Sequence, residues 1–476
     1  MVKPRIFTCI FFIAFLFFDY NLIAQTRVDV WLTNYDRSAL FQQQPNALNF
    51  TSNKTSNQTI IVDDSKTYQR MDGFGFALTG GSAQHIINMN ASGRNNLLHQ
   101  LFDTTGNAIG ISYLRLSIAS SDLNEKVFSY DDVAGDTSLS HFDLAEDKTD
   151  VIPVMKEILA INRDIKILGS PWSPPAWMKT NNDTRGGRLK LEYYNVYANY
   201  LAKYIEAMAQ QGIKIDAITV QNEPLHPGNN PSLLLVAPDE GEFVKNYLGP
   251  LFKKKNIKAK IIIYDHNADR PDYPISILND AQAAKYIDGS AFHLYGGTID
   301  ALTDVHNAHP DKNIYFTEQM VVQYPRRNRD DDDDADQTKI NIAWPVSRLI
   351  IDAPRNWSKN VLLWNLAADP QFKPYTDRGG CSGCQGAVTI DKDSVTYNLA
   401  YYTAAHATKF VRPGSVRIAS DLLDSLPNVA FKTPKGNMVL IVANISNADQ
   451  TFNIQYHNKI ATAILKPRSV ATYIWK

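Results

Sequence analysis

The sequence predicts a (β/α)8 barrel of the α/β class, accompanied by a small antiparallel β-sandwich. Eight short apolar runs alternate with helix-like segments through the middle of the chain, as the strands and helices of a parallel barrel do. The runs are continuously hydrophobic, as expected for parallel strands covered by helices. Both chain ends carry turn-rich, strand-like stretches instead, and these predict the second, antiparallel unit.

The predicted barrel strands are apolar runs bounded by polar or turn residues, with helical periodicity between them. The clearest helix is Leu191–Gln211, where Tyr194, Tyr197 and Leu201 recur at helical spacing and Gly212 follows as a plausible stop. The eight runs are Gly73–Phe76, Tyr113–Ile118, Ile165–Leu168, Ala217–Val220, Lys260–Tyr264, Ala291–Leu294, Ile314–Phe316 and Val361–Trp364.

The patterns at the two ends of the chain predict β-structure outside the barrel. After Phe410, short stretches such as Val439–Val442, Phe452–Tyr456 and Thr472–Trp475 indicate antiparallel strands. The strand-like segment Val28–Val62 is expected to add to the same sheet. The predicted boundaries are 1–24 for a signal peptide, 25–66 for N-terminal strands of the sandwich, 67–405 for the barrel and 406–476 for the C-terminal sandwich.

Composition and charge narrow the class of protein. Of 476 residues, 44% are hydrophobic and 20% are charged, which is typical of a folded globular chain. The formal net charge of −1 provides no basic surplus for a phosphate backbone, so nucleic acid is not expected as a partner.

The N-terminal segment has the order of a secretory signal peptide. Lys3 and Arg5 precede the apolar run Ile6–Phe18, and Ala24 offers a small residue for cleavage before Gln25. An uncleaved membrane anchor is the alternative, although the run is short for a membrane span. We therefore expect an exported protein, periplasmic or extracellular, with no stable membrane span after cleavage.

Of the three cysteines, Cys9 lies in the predicted signal peptide, which leaves two in the mature chain. Cys381 and Cys384 are too few for a structural zinc site; they can form a disulfide in an oxidising compartment or remain a reduced, inert pair. We predict no metal and no cofactor.

The tract Arg326–Asp336, three arginines followed by aspartates, is interpreted as a solvated loop, with substrate gating or calcium binding as alternatives.

Two glutamates directly follow predicted barrel strands. Glu223 comes after the fourth run, in Asn222-Glu223-Pro224, and Glu318 comes after the seventh, in Thr317-Glu318-Gln319. Active sites of such barrels lie at the carboxyl ends of the strands, so both side chains are expected at one mouth, nearly opposite each other. Two facing carboxyl groups are what hydrolysis of a glycosidic bond requires, and a short separation implies a covalent intermediate with retention of configuration.

Other polar and aromatic residues occupy the same position at strand ends. Arg115 is a candidate for keeping the nucleophile ionised, and Tyr295 can hydrogen-bond a carboxylate. Trp172 and Trp364 offer aromatic faces for sugar rings, and His293 lies at the end of the sixth run. Each of these has a structural alternative, such as core packing or an ordinary ion pair, and only their shared position favours function.

These residues stand in motifs that resemble glycoside hydrolase family 30. The motifs are Asn222-Glu223-Pro224, the run from Ser170 to Lys179, Gly73-Phe74-Gly75, Ala119-Ser120-Ser121-Asp122, His293-Leu294-Tyr295 and Trp364-Asn365-Leu366-Ala367, together with the Glu318 segment. They span nearly the whole mature chain in the right order. The family includes glucosylceramidases, bacterial β-1,6-glucanases and some xylan-acting enzymes.

The resemblance implies a barrel with a β-sandwich built from both chain ends, and it implies roles for individual residues. Glu223 would be the acid/base and Glu318 the nucleophile. Asn222 would contact the sugar 2-hydroxyl, and Arg115 and Tyr295 would lie near the nucleophile. The residues expected to line the glycone pocket are Asp122, Trp172, His293 and Trp364.

The sequence departs from the glucosylceramidase branch at one position. Members of that branch often carry an aspartate immediately before the tryptophan aligned with Trp364, whereas this chain has Leu363. The charged tract and the Gly379–Cys384 loop also resemble the bacterial glucanases more closely. We therefore expect an exported retaining β-glycosidase that acts on a carbohydrate. The first candidate substrate is β-1,6-glucan. The alternatives are glucosylceramide, a xylan-type substrate and a non-catalytic carbohydrate-binding protein.

Overall fold

A computed structural model describes Met1 and residues 27–53, 55–323 and 338–476. The predicted signal peptide beyond Met1 and the tract Arg326–Asp336 lie outside the described residues. Within the described ranges, no helix has the length and apolar character needed to cross a bilayer.

Four strands precede the barrel and belong to the sandwich. The segment that was expected to join the C-terminal sheet does so, because β1 pairs with the last strand of the chain, at Trp31 opposite Thr472. These four strands are β1 (Arg27–Thr33), β2 (Gln42–Gln43), β3 (Leu48–Asn49) and β4 (Gln58–Arg70).

Among the described residues, eight parallel strands close into a barrel, which confirms the predicted fold class. Each strand contains or overlaps one of the predicted apolar runs. The barrel strands are β5 (Gly73–Leu78), β6 (Tyr113–Ile118), β7 (Lys166–Pro171), β8 (Ala217–Thr219), β9 (Lys260–Ala268), β10 (Ile287–Gly297), β11 (Asn313–Glu318) and β12 (Ser358–Leu363).

Seven of these strands each send one side chain into a shared apolar layer inside the barrel. The members of this layer are Tyr113, Leu168, Ala217, Ile262, Ala291, Tyr315 and Leu362. Such a layer fills the barrel, so that its centre is a packed core and its carboxyl-end mouth is left for polar groups.

Helices cover the outside of the barrel, and the predicted helix Leu191–Gln211 is present as a 3-10 turn at Leu191–Tyr193 followed by a long α-helix. Two helical stretches are interrupted by π-helical turns at Val244–Leu248 and Val346–Ile351. The α-helices are α1 (Gly80–Asn88), α2 (Ala91–Phe102), α3 (Val151–Ile161), α4 (Tyr194–Gln210), α5 (Ala237–Phe243), α6 (Gly249–Lys255), α7 (Asp272–Leu278), α8 (Ala281–Ala284), α9 (Ala301–Ala308), α10 (Ala343–Pro345), α11 (Asp352–Arg355) and α12 (Leu399–Thr408).

The remaining strands form a small sheet beside the barrel mouth and the C-terminal part of the sandwich. The small sheet joins β13, β14 and β15, and the sandwich strands combine with β1–β4 in a ten-stranded sheet within the described part of the chain. These strands are β13 (Ala367–Ala368), β14 (Val388–Asp391), β15 (Ser394–Tyr397), β16 (Val416–Ser420), β17 (Asn428–Lys432), β18 (Met438–Ala443), β19 (Gln450–Tyr456), β20 (Lys459–Leu465) and β21 (Val470–Trp475).

The sandwich sheet encloses its own core and packs its other face on the barrel. Leu440 and Val442 on β18 point into the core of the sandwich, whereas Val439 and Ile441 belong to the large core shared with the barrel. Every residue of β18 is therefore buried, and the strand does not show the polar-out alternation of a strand with one solvated face. Pairing is antiparallel except between β19 and β4, which run parallel.

Candidate active site

The two candidate carboxyl groups lie at the carboxyl end of the barrel, as predicted. Glu318 is the last residue of β11, and Glu223 lies four positions beyond the end of β8. Glu223 has a left-handed φ of 44°, and its N–H donates to the carbonyl oxygen of Asp265 at 3.0 Å. A non-glycine residue in this conformation is held by its surroundings, and here the bond to β9 fixes the backbone of Glu223.

The structure brings Glu223, His293 and Glu318 together. One carboxylate oxygen of each glutamate and a ring nitrogen of His293 all lie within 4.8 Å of one another. This spacing is near the roughly 5–5.5 Å found between the carboxyl groups of retaining glycosidases, and well below the roughly 6.5–9.5 Å of inverting ones. At this spacing the two carboxyl groups are closer than an intervening water-filled arrangement requires.

Both carboxyl groups open into one cavity of about 340 Å³. Three larger surface grooves in the described part of the chain, of about 760, 680 and 560 Å³, are lined by neither of them. The cavity is lined by Asp122, Glu223, His226, Asn229, Asn267, Tyr295, Glu318, Met320, Trp364, Gly379, Gly380, Cys381 and Cys384.

Arg115 connects several of the predicted site residues from beneath the cavity. Its side chain is fully buried, with Nη1 donating to Oε2 of Glu318 at 2.6 Å. Nη2 donates to Oδ1 of Asn222 at 2.6 Å and to Oδ2 of Asp265 at 2.9 Å. A guanidinium presents its donors in a fixed fork, so Arg115 orients all three acceptors at once.

Tyr295 and His293 approach the carboxyl groups from β10. The hydroxyl of Tyr295 donates to Oε1 of Glu318 at 3.0 Å and accepts the N–H of Met320 at 3.0 Å. His293 Nδ1 lies 3.3 Å from Oε1 of Glu223, and its Nε2 lies 3.1 Å from Oδ1 of Asp265. Both oxygens of Glu318 thus accept a short hydrogen bond, whereas Glu223 has weaker contacts.

Asp265 is the central residue that the sequence reasoning missed. It is completely buried, and its two carboxylate oxygens accept from Ser170 (2.8 Å), Thr219 (2.7 Å) and Thr317 (2.6 Å) in addition to Arg115. Asp265 directly follows the predicted apolar run Lys260–Tyr264, so the strand-end rule that found Glu223 and Glu318 applies to it as well.

The charges of this buried cluster shift one another's pKa values. Burial opposes the ionised form of Asp265, but Arg115 and His293 outweigh it and hold the pKa of Asp265 far below its ordinary value. Burial also acts to lower the pKa of His293, yet Glu318, Asp265 and Glu223 raise it to about 9. The cluster therefore contains an ionised aspartate between two cations, Arg115 and protonated His293.

The two glutamates interact too closely to titrate independently. Burial raises the pKa of Glu318 above its ordinary value, against the opposing charges of His293 and Arg115. Burial acts in the same direction on Glu223, where the hydrogen bond and charge of His293 prevail and lower the pKa. Because the carboxyl groups share one small site, they titrate as a pair.

Trp172 and Trp364 lie side by side rather than as two separate faces of the cavity. Their ring centroids are 5.6 Å apart in a stacked arrangement, and the guanidinium carbon of Arg115 lies 4.8 Å from the centroid of Trp172. Trp364 reaches the cavity wall, whereas Trp172 is not among its lining residues and is 2% exposed. In this arrangement Trp172 supports Trp364 and Arg115 from behind.

Asp122 lines the cavity as a buried carboxyl group. It is buried, and its Oδ1 has no hydrogen-bond partner in the structure. Burial, followed by the charges of Glu318 and Glu223, raises the pKa of Asp122 to about 8. A neutral carboxyl group of this kind can both donate to and accept from a sugar hydroxyl.

Cys381 and Cys384 are joined as a disulfide and form part of the cavity wall. The indole N–H of Trp364 points to Sγ of Cys384 at 3.2 Å. The loop that carries this disulfide is therefore in direct contact with the stacked tryptophans.

Glu223, His293 and Glu318 have the spacing of a metal site, but Arg115 and the high pKa of His293 oppose a bound cation there.

Comparison with known proteins agrees with this geometry. Residues 71–411 match the glycosyl hydrolase family 30 TIM-barrel domain, and residues 414–473 match the β-sandwich domain of the same family. The chain belongs to glycosyl hydrolase family 30. It is accordingly a glycosyl hydrolase with a carbohydrate substrate, as the strand-end carboxyl groups predicted.

Several characterised relatives of the family are similar over most of their length. An endo-1,6-β-D-glucanase of Aspergillus fumigatus is 31% identical over 444 residues, 87% of each chain. The lysosomal acid glucosylceramidase of Mus musculus is 28% identical over 450 residues, 89% of this chain and 85% of the relative. The solved structure of the endo-β1,6-glucanase BT3312 superposes with a TM-score of 0.86 at 31% identity, covering 94% of this chain and 99% of that one.

Proposed function

We propose that this enzyme cleaves β-glucosidic bonds by double displacement, with Glu223 as acid/base and Glu318 as nucleophile. The observation that carries the proposal is that carboxylate oxygens of these two residues lie within 4.8 Å of one another at the wall of a single cavity. A carboxylate at that distance can reach the anomeric carbon directly, which leads to a covalent glycosyl–enzyme intermediate.

Glu318 is suited to the nucleophile role by its hydrogen bonds. Arg115 donates to one oxygen and Tyr295 to the other, and the Tyr295 hydroxyl is oriented by accepting the N–H of Met320. These two donors favour the ionised carboxylate, against the burial that raises the pKa of Glu318, and they hold it in one orientation. An ionised, pre-oriented nucleophile reduces the reorganisation needed in the transition state.

Glu223 is suited to the acid/base role because its oxygens accept only long contacts, from His293 at 3.3 Å and Asn229 at 3.4 Å. The order of the two pKa values in the protein without sugar, lower for Glu223, is the opposite of what catalysis needs. We base the assignment on the hydrogen bonds: Arg115 and Tyr295 donate to the two oxygens of Glu318, whereas the contacts of Glu223 are longer.

The reaction then proceeds in two displacements. Glu223 gives its proton to the glycosidic oxygen while a carboxylate oxygen of Glu318 bonds to the anomeric carbon, and the aglycone leaves as an alcohol. Glu223, now ionised, takes a proton from water as the water oxygen attacks the same carbon, and Glu318 is released. Two inversions give a product with the original β-configuration.

The substrate that we propose is β-1,6-glucan. Relatives described as endo-1,6-β-D-glucanases reach 31% identity, and Leu363 replaces the aspartate common in the glucosylceramidase branch. Glucosylceramide is the second candidate, since glucosylceramidases are also similar, at 28% identity. Leu363 is buried and apolar, so it offers no hydrogen bond to a sugar at that position.

The substrate is tested by comparing β-1,6-glucan, glucosylceramide in detergent and xylan with one enzyme preparation. The proposal predicts release of β-1,6-linked products, with the Glu318→Gln variant as the inactive control. Preferential turnover of glucosylceramide would contradict the proposed substrate and leave the proposed mechanism intact. Full activity of Glu318→Gln would contradict both the substrate and the mechanism.

We also propose that the enzyme is exported. The charged, then apolar, then small-residue order of Met1–Ala24 is that of a secretory signal, and the Cys381–Cys384 disulfide needs an oxidising compartment. Fractionation of cells and N-terminal sequencing test this, with a mature chain starting near Gln25 as the expected result and an uncleaved cytoplasmic chain as the contradicting one.

A further inference from the structure

The two oxygens of Glu223 are contacted by different residues. His293 contacts Oε1, while the side-chain amide of Asn229 donates to Oε2 at 3.4 Å. Asn229 also lines the cavity that contains both glutamates. It is thus the residue that approaches the acid on the side away from His293, in a position to fix the direction in which the acid points.

Asn229 belongs to the segment that carries Glu223, here called the acid loop (residues 223–232). The hydroxyl of Ser232 donates to the carbonyl oxygen of Asn229 at 2.6 Å. The carbonyl oxygen of Ser232 in turn accepts from the buried ammonium of Lys179 at 2.7 Å. The backbone of Asn229 is therefore fixed from inside the protein.

A second segment, here called the disulfide loop (residues 376–384), is bonded to the acid loop from the outside. The amide of Asn230 donates to both the carbonyl oxygen and Oδ1 of Asp377, each at 3.0 Å. The hydroxyl of Thr376 donates to the carbonyl oxygen of Asn230. Asn230 itself is buried, at 1% exposure, whereas the side chain of Asp377 is exposed.

The two loops touch at a glycine. A Cβ on Gly379 would lie 2.6 Å from the carbonyl oxygen of Gly228, 2.9 Å from the nitrogen of Asn230 and 3.0 Å from the carbonyl carbon of Asn229. Real Cβ atoms do not approach backbone atoms so closely, and the φ of Gly379, 151°, also disfavours a side chain. The disulfide loop is thus pressed directly against the backbone of Asn229.

From these contacts we propose that Asn229 is a positioning residue for the general acid, and that the disulfide loop holds it in place. Asn229 orients Oε2 of Glu223 toward the leaving oxygen, and Gly379 allows the close packing that keeps Asn229 at this distance. The proposal rests on the acid/base role proposed for Glu223. It concerns the leaving-group half of the reaction and does not involve Glu318.

The leaving group provides the test, because general-acid help matters only when the leaving oxygen needs a proton. A dinitrophenolate departs without protonation, whereas the alcohol of a β-1,6-glucan oligomer does not. Loss of acid positioning therefore slows the second substrate and leaves the first nearly unchanged. Damage to the fold or to sugar binding slows both.

Asn229→Ala is expected to lower kcat/KM for the glucan oligomer by about tenfold or more, and that for dinitrophenyl β-glucoside by less than about twofold. Gly379→Ala leaves the chemistry of Asn229 intact but pushes the loops apart, and it is expected to show the same selective loss. Asn53→Ala, at an exposed position of the sandwich, is the matched control and is expected to leave both substrates unchanged.

Equal losses on both substrates, or no loss on either, in Asn229→Ala would overturn the inference. Glu223→Ala, measured beside it, separates this failure from that of the proposed function. If Glu223→Ala shows the leaving-group-selective loss and Asn229→Ala does not, only the positioning role is wrong. If Glu223→Ala itself shows no selectivity, the acid/base assignment is wrong.

Discussion

Arg115 and Glu318 form a buried ion pair in which Nη1 donates to Oε2 at 2.6 Å. The same guanidinium also binds Asn222 and Asp265, so one side chain from β6 orients groups on β9, on β11 and in the segment after β8. The orientation of the candidate nucleophile therefore depends on a buried polar network inside the barrel.

Replacing Arg115 by lysine is expected to lower kcat/KM by about a hundredfold or more. Lysine keeps the charge but cannot reach Glu318 and Asp265 together, since it has a single ammonium instead of a planar fork. Steady-state kinetics on an aryl β-glucoside measure the effect. Arg115→Met is expected to cost about 3–5 kcal/mol in stability as well, because it leaves buried carboxylates unpaired. A fully active Arg115→Lys enzyme would show that the fork is dispensable.

Asp265→Asn is expected to lower the pKa of His293, now raised to about 9 by Glu318, Asp265 and Glu223 against burial. The variant keeps the shape of the side chain but removes one of the negative charges that stabilise the protonated ring. NMR titration of the His293 ring in both proteins tests this. An unchanged His293 pKa would contradict the central place given to Asp265.

The raised pKa of His293 also predicts a pH dependence of stability. Between the ordinary histidine pKa of roughly 6.5 and about 9, the folded protein binds a proton at this residue that the unfolded chain has lost. The contribution of His293 is therefore complete below the lower value and disappears as pH rises through the upper one. Denaturant unfolding across this range should show a smaller decline in Asp265→Asn than in the parent enzyme. An equal decline in both proteins would assign the pH dependence to other groups.

Asp122 is expected to bind sugar as a neutral acid. Its pKa of about 8, raised by burial, Glu318 and Glu223, keeps it protonated in mildly acidic and neutral solution. Above that pH it ionises, and binding of the product glucose should weaken. Asp122→Asn stays neutral, so its glucose affinity should remain constant between about pH 7 and 9 by calorimetry. A parallel loss of affinity in both proteins would exclude this role.

Removing the disulfide is expected to affect binding more than folding. The loop that it closes contains only Ser382 and Gly383 between the cysteines, and a small loop gains little chain entropy from a cross-link. In the Cys381→Ser/Cys384→Ser double variant we expect Tm to fall by only a few degrees and KM to rise severalfold. A large drop in Tm with unchanged KM would reverse this interpretation.

The barrel could be predicted from the sequence because its strands are buried on both faces. Such strands are continuous apolar runs in the sequence. It also pointed to Glu223, Glu318, Arg115 and His293, since side chains at parallel strand ends must converge. Asp265 also follows an apolar run, but none of the family motifs in this sequence contains it. Its importance comes from its hydrogen-bond partners, on β6, β7, β8, β10 and β11, which no local pattern reveals.

Other features depended on packing that the sequence does not encode locally. Trp172 was expected at the glycone pocket, and the structure places it behind Trp364, because the two rings stack and Arg115 covers one of them. The contact between Gly379 and the acid loop joins segments about 150 residues apart, and the pairing of β19 with β4 joins still more distant ones. Long-range contacts of this kind are set by the closed fold as a whole.

The central claim is that Glu318 attacks the sugar while Glu223 protonates the leaving oxygen. Its most direct test is mass spectrometry of the enzyme after reaction with an activated 2-deoxy-2-fluoro-β-glucoside, which slows breakdown of a covalent intermediate. We expect one glycosyl adduct, on the peptide that contains Glu318, and none in Glu318→Gln. An adduct on Glu223, or turnover that gives the α-anomer as first product without any adduct, would contradict it.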